Sequence, residues 1–343
     1  MELSAALALS LGGQSLDRDQ ARAVFSGALR EDTDPILFGA FLAALAQRGE
    51  APEEIVGAAQ ALRAAAVPFE HDHAGAIDTC GTGGDGLGSF NLSTAAAIVA
   101  AAAGATVIKH GNRSVSSECG SADLLEALGI ELELGPDQAR TVLDEVGITF
   151  LFAPRYHPAM RFAAPVRQAL GVRTLFNFLG PLCNPGRVRR QLLGISDGER
   201  VADFAAALEG LGCERGYVVH GAGGADELTL EGENQAVPVG SAPVVQLDAQ
   251  ALGLKTCPVA DLRGGGVPRN VELLTSILAG QQGPLRDGVL INAAGALLVA
   301  ERAADGPAAL ALAQEAIDSG AAARRLEEWV RASRAAAAGG AEA

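Results

Sequence analysis

The sequence predicts an α/β protein in which a small helical domain precedes a larger α/β domain. Two observations support this fold class. Residues 1 to about 70 carry helical signals with no intervening strand, whereas from residue 75 onwards short apolar segments alternate with helical ones. We place the domains at 1–72 and 73–335, and we expect 336–343 to be a frayed tail.

The N-terminal helices are marked by their first residues. Asp17 and Gln20 form a capping-box pattern ahead of a segment with helical apolar spacing. Asp34 followed by Pro35 is an N-cap with proline at the first helical position, and Pro52 opens a third helix. These signals predict where each helix begins.

The larger domain begins with a strand, a glycine-rich turn, a helix and a second strand. These elements, predicted at 75–81, 92–103 and 105–111, form a βαβ unit. Further strands are predicted at 148–153, 191–196 and 216–221, and further helices at 121–128, 201–211, 287–301 and 307–330. Such alternation is typical of α/β domains.

Composition argues against several classes of function. The 343 residues include 26 basic and 41 acidic ones, so a net charge of −15 disfavours nucleic acid and anionic membranes as partners. The alanine-rich run at 93–105 is too short to span a bilayer, and the N terminus lacks the basic segment of a signal peptide. Five scattered cysteines without a CxxC pair are typical of reduced thiols. We therefore expect a cytoplasmic protein.

The glycine-rich turn GTGGDG at 81–86 indicates that main chain closely approaches another group. A dinucleotide-binding pattern fits poorly, because the helix begins too late and the next strand ends in Lys109 and His110 rather than an acid. A phosphate site fits better, since glycine amides and hydroxyls at a helix N terminus bind anions. The side chains expected to converge there are Ser89, Asn91, Ser93, Thr94, Lys109, Asn112, Arg113, Ser116 and Ser117.

Two adjacent carboxylates, Asp226 and Glu227, follow the strand predicted at 216–221 and a second glycine-rich turn. Such a pair suits Mg²⁺, which takes few protein oxygens and shares the rest with phosphates and water. The alternative is an ordinary acidic turn. Next to a phosphate site, the metal interpretation is favoured.

Three arginines at spacings of six, Arg161, Arg167 and Arg173, are suited to binding carboxylates. At helical pitch they do not share a face, so we expect only some of them to reach one pocket. His157 either faces a ligand or caps a helix.

Several motifs of the chain, in their order and spacing, resemble the anthranilate phosphoribosyltransferases of tryptophan biosynthesis over roughly residues 10–330. The motifs are GTGGDG, NLST, KHGNRSVSS, GSAD, HPAM, RTLFNFLGPLCNP and ADE. The resemblance implies a fold similar to that of pyrimidine nucleoside phosphorylases. In that fold a small all-helical domain, joined by helices from about 157–185, accompanies a mostly parallel central sheet flanked by helices. It also implies a homodimer and transfer of the phosphoribosyl group of 5-phosphoribosyl 1-pyrophosphate (PRPP) to the amine of anthranilate.

The resemblance also implies the site residues. Those of the PRPP site are Gly81, Gly84, Asp85, Ser89, Asn91, Leu92, Ser93, Thr94, Lys109, His110, Gly111, Asn112, Arg113, Ser114, Val115, Ser116, Ser117 and Ser121. Gly81, Asn112 and Arg167 are implied as anthranilate contacts, and Lys109, Asn112 and Arg167 as the catalytic set. Ser93, Asp226 and Glu227 are implied as ligands of two Mg²⁺ ions per subunit.

Two other functions remain open at this point. A nucleoside phosphorylase of the same fold should lack the arginine-rich segment at 157–174, and a nucleic-acid-binding relative without activity should have a basic surface. Glu118, an acid beside the implied pyrophosphate site, is the main departure from the family pattern.

Overall fold

The N-terminal part of the protein consists of helices. The structure, a computed structural model, describes residues 1–114 and 118–339. The first helices are α1 (Leu3–Leu11), α2 (Arg18–Ala28), α3 (Pro35–Arg48) and α4 (Pro52–Ala65). The Asp17–Gln20 capping box forms, and the Asp34 carboxylate accepts hydrogen bonds from the first amides of α3. The helix starts predicted from these residues are confirmed. The helix α1, for which no start signal was identified, begins without a side-chain cap.

The larger domain is built on a six-stranded sheet with the order β3-β2-β1-β4-β5-β6. Its strands are β1 (Ile77–Gly81), β2 (Val107–Gly111), β3 (Ile148–Phe152), β4 (Arg190–Gly194), β5 (Arg215–His220) and β6 (Gln235–Gly240). The first five are parallel, and β6 pairs antiparallel with β5 at the edge. The mostly parallel sheet is confirmed. The sequence did not predict β6, because Pro238 within it is a residue that central strands avoid and edge strands tolerate.

Helices lie between and after these strands, and several of them cover the two faces of the sheet. They are α5 (Leu92–Ala102), α6 (Ser121–Leu128), α7 (Pro136–Val146), α8 (Ala153–Tyr156), α9 (Met160–Leu170), α10 (Phe176–Leu179), α11 (Val201–Gly210), α12 (Val267–Leu278), α13 (Pro284–Val299), α14 (Gly306–Asp318) and α15 (Ala321–Gly339). No helix formed by residues 1–114 or 118–339 is long and apolar enough to cross a membrane.

The C-terminal helix extends further than predicted. Residues 336–339, expected to be part of a frayed tail, are helical. Ala336 and Ala337 pack against the core, and Arg334 donates a hydrogen bond from Nε to the carbonyl oxygen of Gly129. These contacts fix the end of α15, which sequence pattern alone did not show.

Two apolar cores lie on opposite faces of the sheet. One surrounds the buried helices α5 and α13. The other includes Phe204 of α11 and is continuous with the N-terminal helices and with α9 and α10. The ring of Phe176 in α10 meets those of Phe25 and Phe38 edge-on, with centroids 5.9 and 6.0 Å apart. On this packing we propose that the helices within 157–185 belong to the small domain.

Candidate active site

A cleft of about 1250 Å³ opens at the carboxyl ends of the parallel strands, between them and helices α9 and α10. Ligands of open α/β sheets bind at this edge. The predicted site residues that line the cleft are Gly81, Gly84, Asp85, Ser89, Asn91, Ser93, Thr94, Lys109, His110, Gly111, Asn112, Arg113, Ser114, Ser121, Arg167, Asp226 and Glu227. Leu92 does not line it, because its side chain is buried in the core below α5. Val115, Ser116 and Ser117 lie outside the described residues.

The glycine-rich turn after β1 contains glycines of two kinds. Gly83, Gly84 and Gly86 have φ values of +69°, +77° and +72°, which only glycine adopts readily. Gly81 has an ordinary conformation, but a Cβ there would lie 2.8 Å from Cγ of Asp226. The close approach predicted for Gly81 is therefore made by a carboxylate of this same chain.

The acidic turn of Asp226 and Glu227 lies directly on the strand ends. The Gly83 amide donates to Oδ2 of Asp226 at 2.6 Å, and the Ser93 amide at the start of α5 donates to Oε1 of Glu227 at 2.8 Å. A Cβ at Gly194 would overlap the Asp226 carbonyl oxygen. Glycines at the ends of neighbouring strands therefore make room for this turn.

The two carboxylates are held close together at an electrostatic cost. Burial raises the pKa of Asp226, and the charge of Asp85 raises it further. Burial and then the charge of Asp226 raise the pKa of Glu227. A cation bound here would relieve this repulsion.

The donors at this position fit a magnesium ion that is shared with a phosphate. Two carboxylates and the Ser93 hydroxyl at the helix start are oxygen donors, the kind that Mg²⁺ prefers. No cluster of three or more His, Cys, Asp or Glu side chains within the described ranges could hold a metal by itself. The set is therefore suited to Mg²⁺ that completes its coordination with substrate oxygens and water.

Lys109 lies at the floor of the cleft. Its side chain is only 2% exposed, and Nζ donates to the carbonyl oxygen of Thr79 at 2.5 Å. Its positive charge lowers the pKa of buried Asp78 and of Glu227, in each case against the larger effect of burial. Lys109 therefore places a positive charge beneath the acidic turn.

Arg113, predicted as a phosphate contact, is ion-paired with acids of α6. Its guanidinium lies 2.7 Å from Glu126 and 3.1 Å from Asp123. Its neighbour Asn112 is exposed, and the Oδ1 atom of Asn112 accepts a hydrogen bond from the Arg113 amide. A phosphate at Arg113 would therefore compete with these two carboxylates.

All three arginines of the segment around α9 line the cleft, which differs from the expectation that only some would. The reason is that α9 ends at Gly171, whose φ of +63° turns the chain so that Arg173 is not on the helix. Arg167 is half-buried, its guanidinium lies 5.6 Å from the centre of the Phe176 ring, and burial lowers its pKa. Among the described residues no acid lies within ion-pairing distance of Arg167, so it can accept a carboxylate from outside.

Two neutral histidines form part of the wall. The rings of His110 and His157 are 5.0 Å apart, and burial is the main cause that lowers both pKa values, that of His157 to about 4. His110 Nδ1 lies 3.2 Å from the Gly180 carbonyl oxygen, so Nδ1 carries the hydrogen and Nε2 is an acceptor. His157 faces the cleft, and its imidazole does not cap α8, because the capping hydrogen bond to the Ala153 carbonyl oxygen comes from its main-chain amide.

Sequence reasoning missed several residues that support the site. Gly194 and Gly221 make room for the acidic turn, and buried Asn270 donates to Oδ1 of Asn91 at 2.9 Å. The glycines had a visible signal, because the strands β1, β4 and β5 all end in glycine or are followed by it. Asn270 had none, because its partner is 179 residues away.

Comparison with known proteins identifies the family. Residues 5–66 match the helical bundle domain of a glycosyl transferase family, and residues 73–323 match its a/b domain. The anthranilate phosphoribosyltransferase of Moorella thermoacetica is 46% identical over 96% of this chain and 97% of its own length. The crystal structure of the Thermus thermophilus enzyme is 44% identical, with a TM-score of 0.91 over 96% of this chain and 99% of that chain.

A more distant relative is the anthranilate phosphoribosyltransferase of Saccharomyces cerevisiae, solved in complex with PRPP and Mg and also with 4-fluoroanthranilate. Both structures are 26% identical and cover 97% of this chain and 98% of that chain, with TM-scores of 0.89 and 0.85. Domain matches, sequence identity and fold agree along nearly the whole length. The chain therefore belongs to the anthranilate phosphoribosyltransferase family.

Proposed function

We propose that this chain transfers the phosphoribosyl group of PRPP to the amine of anthranilate, giving N-(5-phosphoribosyl)anthranilate and pyrophosphate in tryptophan biosynthesis. One arrangement carries this proposal: a glycine turn suited to anions adjoins a carboxylate pair in the same cleft as Arg167, which has no ion-pair partner among the described residues. A pyrophosphate with its metal requires the glycine turn and the two carboxylates. The carboxylate of an aromatic substrate requires the arginine. The yeast relative, solved with PRPP and Mg and with 4-fluoroanthranilate, supports the same assignment.

The strand-end side of the cleft is the proposed PRPP site. The glycine turn offers main-chain amides, and Ser89, Ser93 and Thr94 offer hydroxyls. The Thr94 hydroxyl is buried and has no hydrogen-bond partner among the described residues. Asp226, Glu227 and Ser93 would hold magnesium, with two ions per subunit as the family resemblance implies. When bound, the metal neutralises charge that develops on the departing pyrophosphate.

The side of the cleft formed by α9 and α10 is the proposed anthranilate site. The Arg167 guanidinium matches the planar geometry of a carboxylate. Asn112 and Gly81 are expected to contact anthranilate from the strand ends. Lys109, Asn112 and Arg167 remain the proposed catalytic set.

The reaction depends more on the positioning of the two substrates than on acid–base catalysis. Pyrophosphate leaves carbon 1 of the ribose, positive charge develops there, and the neutral amine attacks from the opposite face. The amine loses its proton as the new bond forms, so a strong base is not required. The residues bind the two substrates, hold the amine facing carbon 1 and stabilise the charge of the leaving group.

Two finer assignments follow. A homodimer through the small domains is what the family resemblance implies, and Leu11 of α1 and Ile36 of α3 are exposed apolar side chains of that domain. A reducing cytoplasmic location is supported by the cysteines, all five of which are free thiols. Gel filtration combined with light scattering tests the first: a monomer at micromolar concentration contradicts it.

The activity is tested by following anthranilate fluorescence. Mixing protein, PRPP, Mg²⁺ and anthranilate should abolish the fluorescence of anthranilate with time, and omission of any component should prevent the loss. A nucleoside phosphorylase would instead consume a nucleoside and phosphate and leave anthranilate unchanged.

A further inference from the structure

Arg173 is a cleft arginine for which the family resemblance implied no role. Six basic side chains line the cleft, namely Lys109, Arg113, Arg161, Arg167, Arg173 and Arg263. Lys109 is hydrogen-bonded at the floor, and Arg113 is ion-paired with α6. Arg173 is exposed to the cleft and has no ion-pair partner in the ranges that the structure describes.

The guanidinium of Arg173 is held against the glycine turn by two contacts. It lies 5.1 Å from the centre of the Phe178 ring, in cation–π geometry, and NH2 donates to the Ser196 hydroxyl at 3.1 Å. Its central carbon is 3.6 Å from the position that a Cβ of Gly84 would take. A Cβ at Gly84 would therefore be in ordinary van der Waals contact with this guanidinium, although its φ of +77° disfavours any side chain there.

The support of Arg173 reaches into the small domain. Arg200 lies against the same Phe178 ring at 4.9 Å and is ion-paired with buried Glu50 at 2.7 Å. Glu50 lies between α3 and α4, so the ring that orients Arg173 is itself fixed by a contact between the two parts of the chain. This arrangement orders a long side chain before any ligand arrives, which reduces the entropy lost on binding.

The charges around the turn indicate what Arg173 binds. The side chains of Asp85, Asp226 and Glu227 lie together at the glycine turn and line the cleft there. A metal on these acids and a guanidinium on the other side of the turn would enclose an anion between them. Building on the proposed function, we infer that Arg173 binds the pyrophosphate group of PRPP at the glycine turn and stabilises it as the leaving group.

We favour the pyrophosphate over the 5-phosphate of the ribose as the ligand of Arg173, because the pyrophosphate is the group that would share the metal. The Gly83 amide donates a hydrogen bond to Asp226, a proposed metal ligand, so phosphates bound to that metal would lie at this turn. Arg173 is beside the next glycine. It therefore faces the end of PRPP that departs.

The inference is tested by calorimetry with Mg²⁺ present, using PRPP, inorganic pyrophosphate and ribose 5-phosphate as separate ligands. Arg173→Ala should weaken binding of PRPP and pyrophosphate by about tenfold or more, as expected for loss of a charge-assisted hydrogen bond. Ribose 5-phosphate should bind as before. Arg173→Lys should recover part of the affinity, because it keeps the charge and loses the planar fork.

Arg189→Ala is the matched control, because Arg189 is an exposed arginine that pairs with Glu214 outside the cleft. It should bind all three ligands like the unmodified protein. Unchanged pyrophosphate binding in folded Arg173→Ala, or in Arg173→Lys if alanine does not fold, overturns the inference. Equal weakening of pyrophosphate and ribose 5-phosphate also overturns it. Failure of the unmodified protein to bind PRPP contradicts the proposed function itself.

Discussion

The main-chain carbonyl oxygen of Asp226 occupies the space in which a β-carbon of Gly194 would lie. Gly194 ends β4 and pairs in register with Gly81, the last residue of β1, which the Asp226 carboxylate also approaches. The carboxylate pair can therefore lie at this position only because Gly81 of β1 and Gly194 of β4 have no side chains. Metal binding should depend on these glycines although they carry no ligand atoms.

Substituting Gly194 should consequently impair the use of magnesium. Gly194→Ala forces the acidic turn away from the strand ends, so the Mg²⁺ concentration for half-maximal activity should rise by about tenfold, equivalent to about 1.4 kcal/mol. Gly75→Ala is the control, because open space surrounds a Cβ at that position. A folded Gly194→Ala protein with an unchanged magnesium titration would show that the turn can move without cost.

The raised pKa values of Asp226 and Glu227 predict how stability depends on pH. A carboxyl group whose pKa is raised on folding holds more protons in the folded than in the unfolded state between its two pKa values. The free energy of unfolding of the metal-free protein should therefore fall as pH rises from about 5 to about 8. Thermal melting should show a weaker fall for Asp226→Asn with Glu227→Gln. Parallel pH profiles for the two proteins would contradict this explanation.

Substitution of Arg167 should change the KM for anthranilate much more than the KM for PRPP. A charge-assisted pair with the anthranilate carboxylate contributes about 1.5–3 kcal/mol, so Arg167→Ala should raise the KM for anthranilate by about ten- to a hundredfold. The KM for PRPP should change little, because other residues are proposed to bind it. If steady-state kinetics show the PRPP constant rising instead, the two substrate sites have been assigned the wrong way round.

Two of the cysteines that line the cleft, Cys80 and Cys119, should be dispensable for the chemistry. Cys80 accepts a hydrogen bond from Gln191 at 3.1 Å, and burial raises the pKa of its thiol well above the usual value. Burial also raises the pKa of Cys119, so neither thiol is activated as a thiolate nucleophile. The double variant Cys80→Ser and Cys119→Ser should retain most of the turnover number. Complete loss of turnover in a well-folded double variant would indicate covalent catalysis.

The predictable features were those that depend on neighbouring residues. The helix starts at Asp17 and Asp34 follow from local capping, and β1 and β2 follow from short apolar runs beside a glycine-rich turn. The glycine turn and the acidic pair were recognisable in the sequence, because four glycines in six residues and two adjacent carboxylates after a glycine-rich turn are unusual. Position in a parallel sheet then brought them to one edge.

The remaining features depend on contacts between residues far apart in the chain. The need for glycine at position 81 was attributed to a ligand alone, but Asp226, 145 residues later, lies where a Cβ of Gly81 would be. The ion pairs of Arg113 with α6 were not predicted either, because a sequence shows neither where a long side chain turns nor which acid it meets. The expectation that only some of the three arginines reach the cleft failed for a local reason, because helical pitch was applied past Gly171, where α9 has ended.

The measurement that tests the central claim most directly is the stoichiometry of the reaction. With PRPP, Mg²⁺ and anthranilate, the protein should release one pyrophosphate for each anthranilate consumed, and mass spectrometry should detect N-(5-phosphoribosyl)anthranilate. Asp226→Asn with Glu227→Gln should require far more Mg²⁺ for the same rate, while metal-free anthranilate binding stays unchanged. Pyrophosphate release without consumption of anthranilate, or phosphate-dependent cleavage of a nucleoside in its place, would contradict the account.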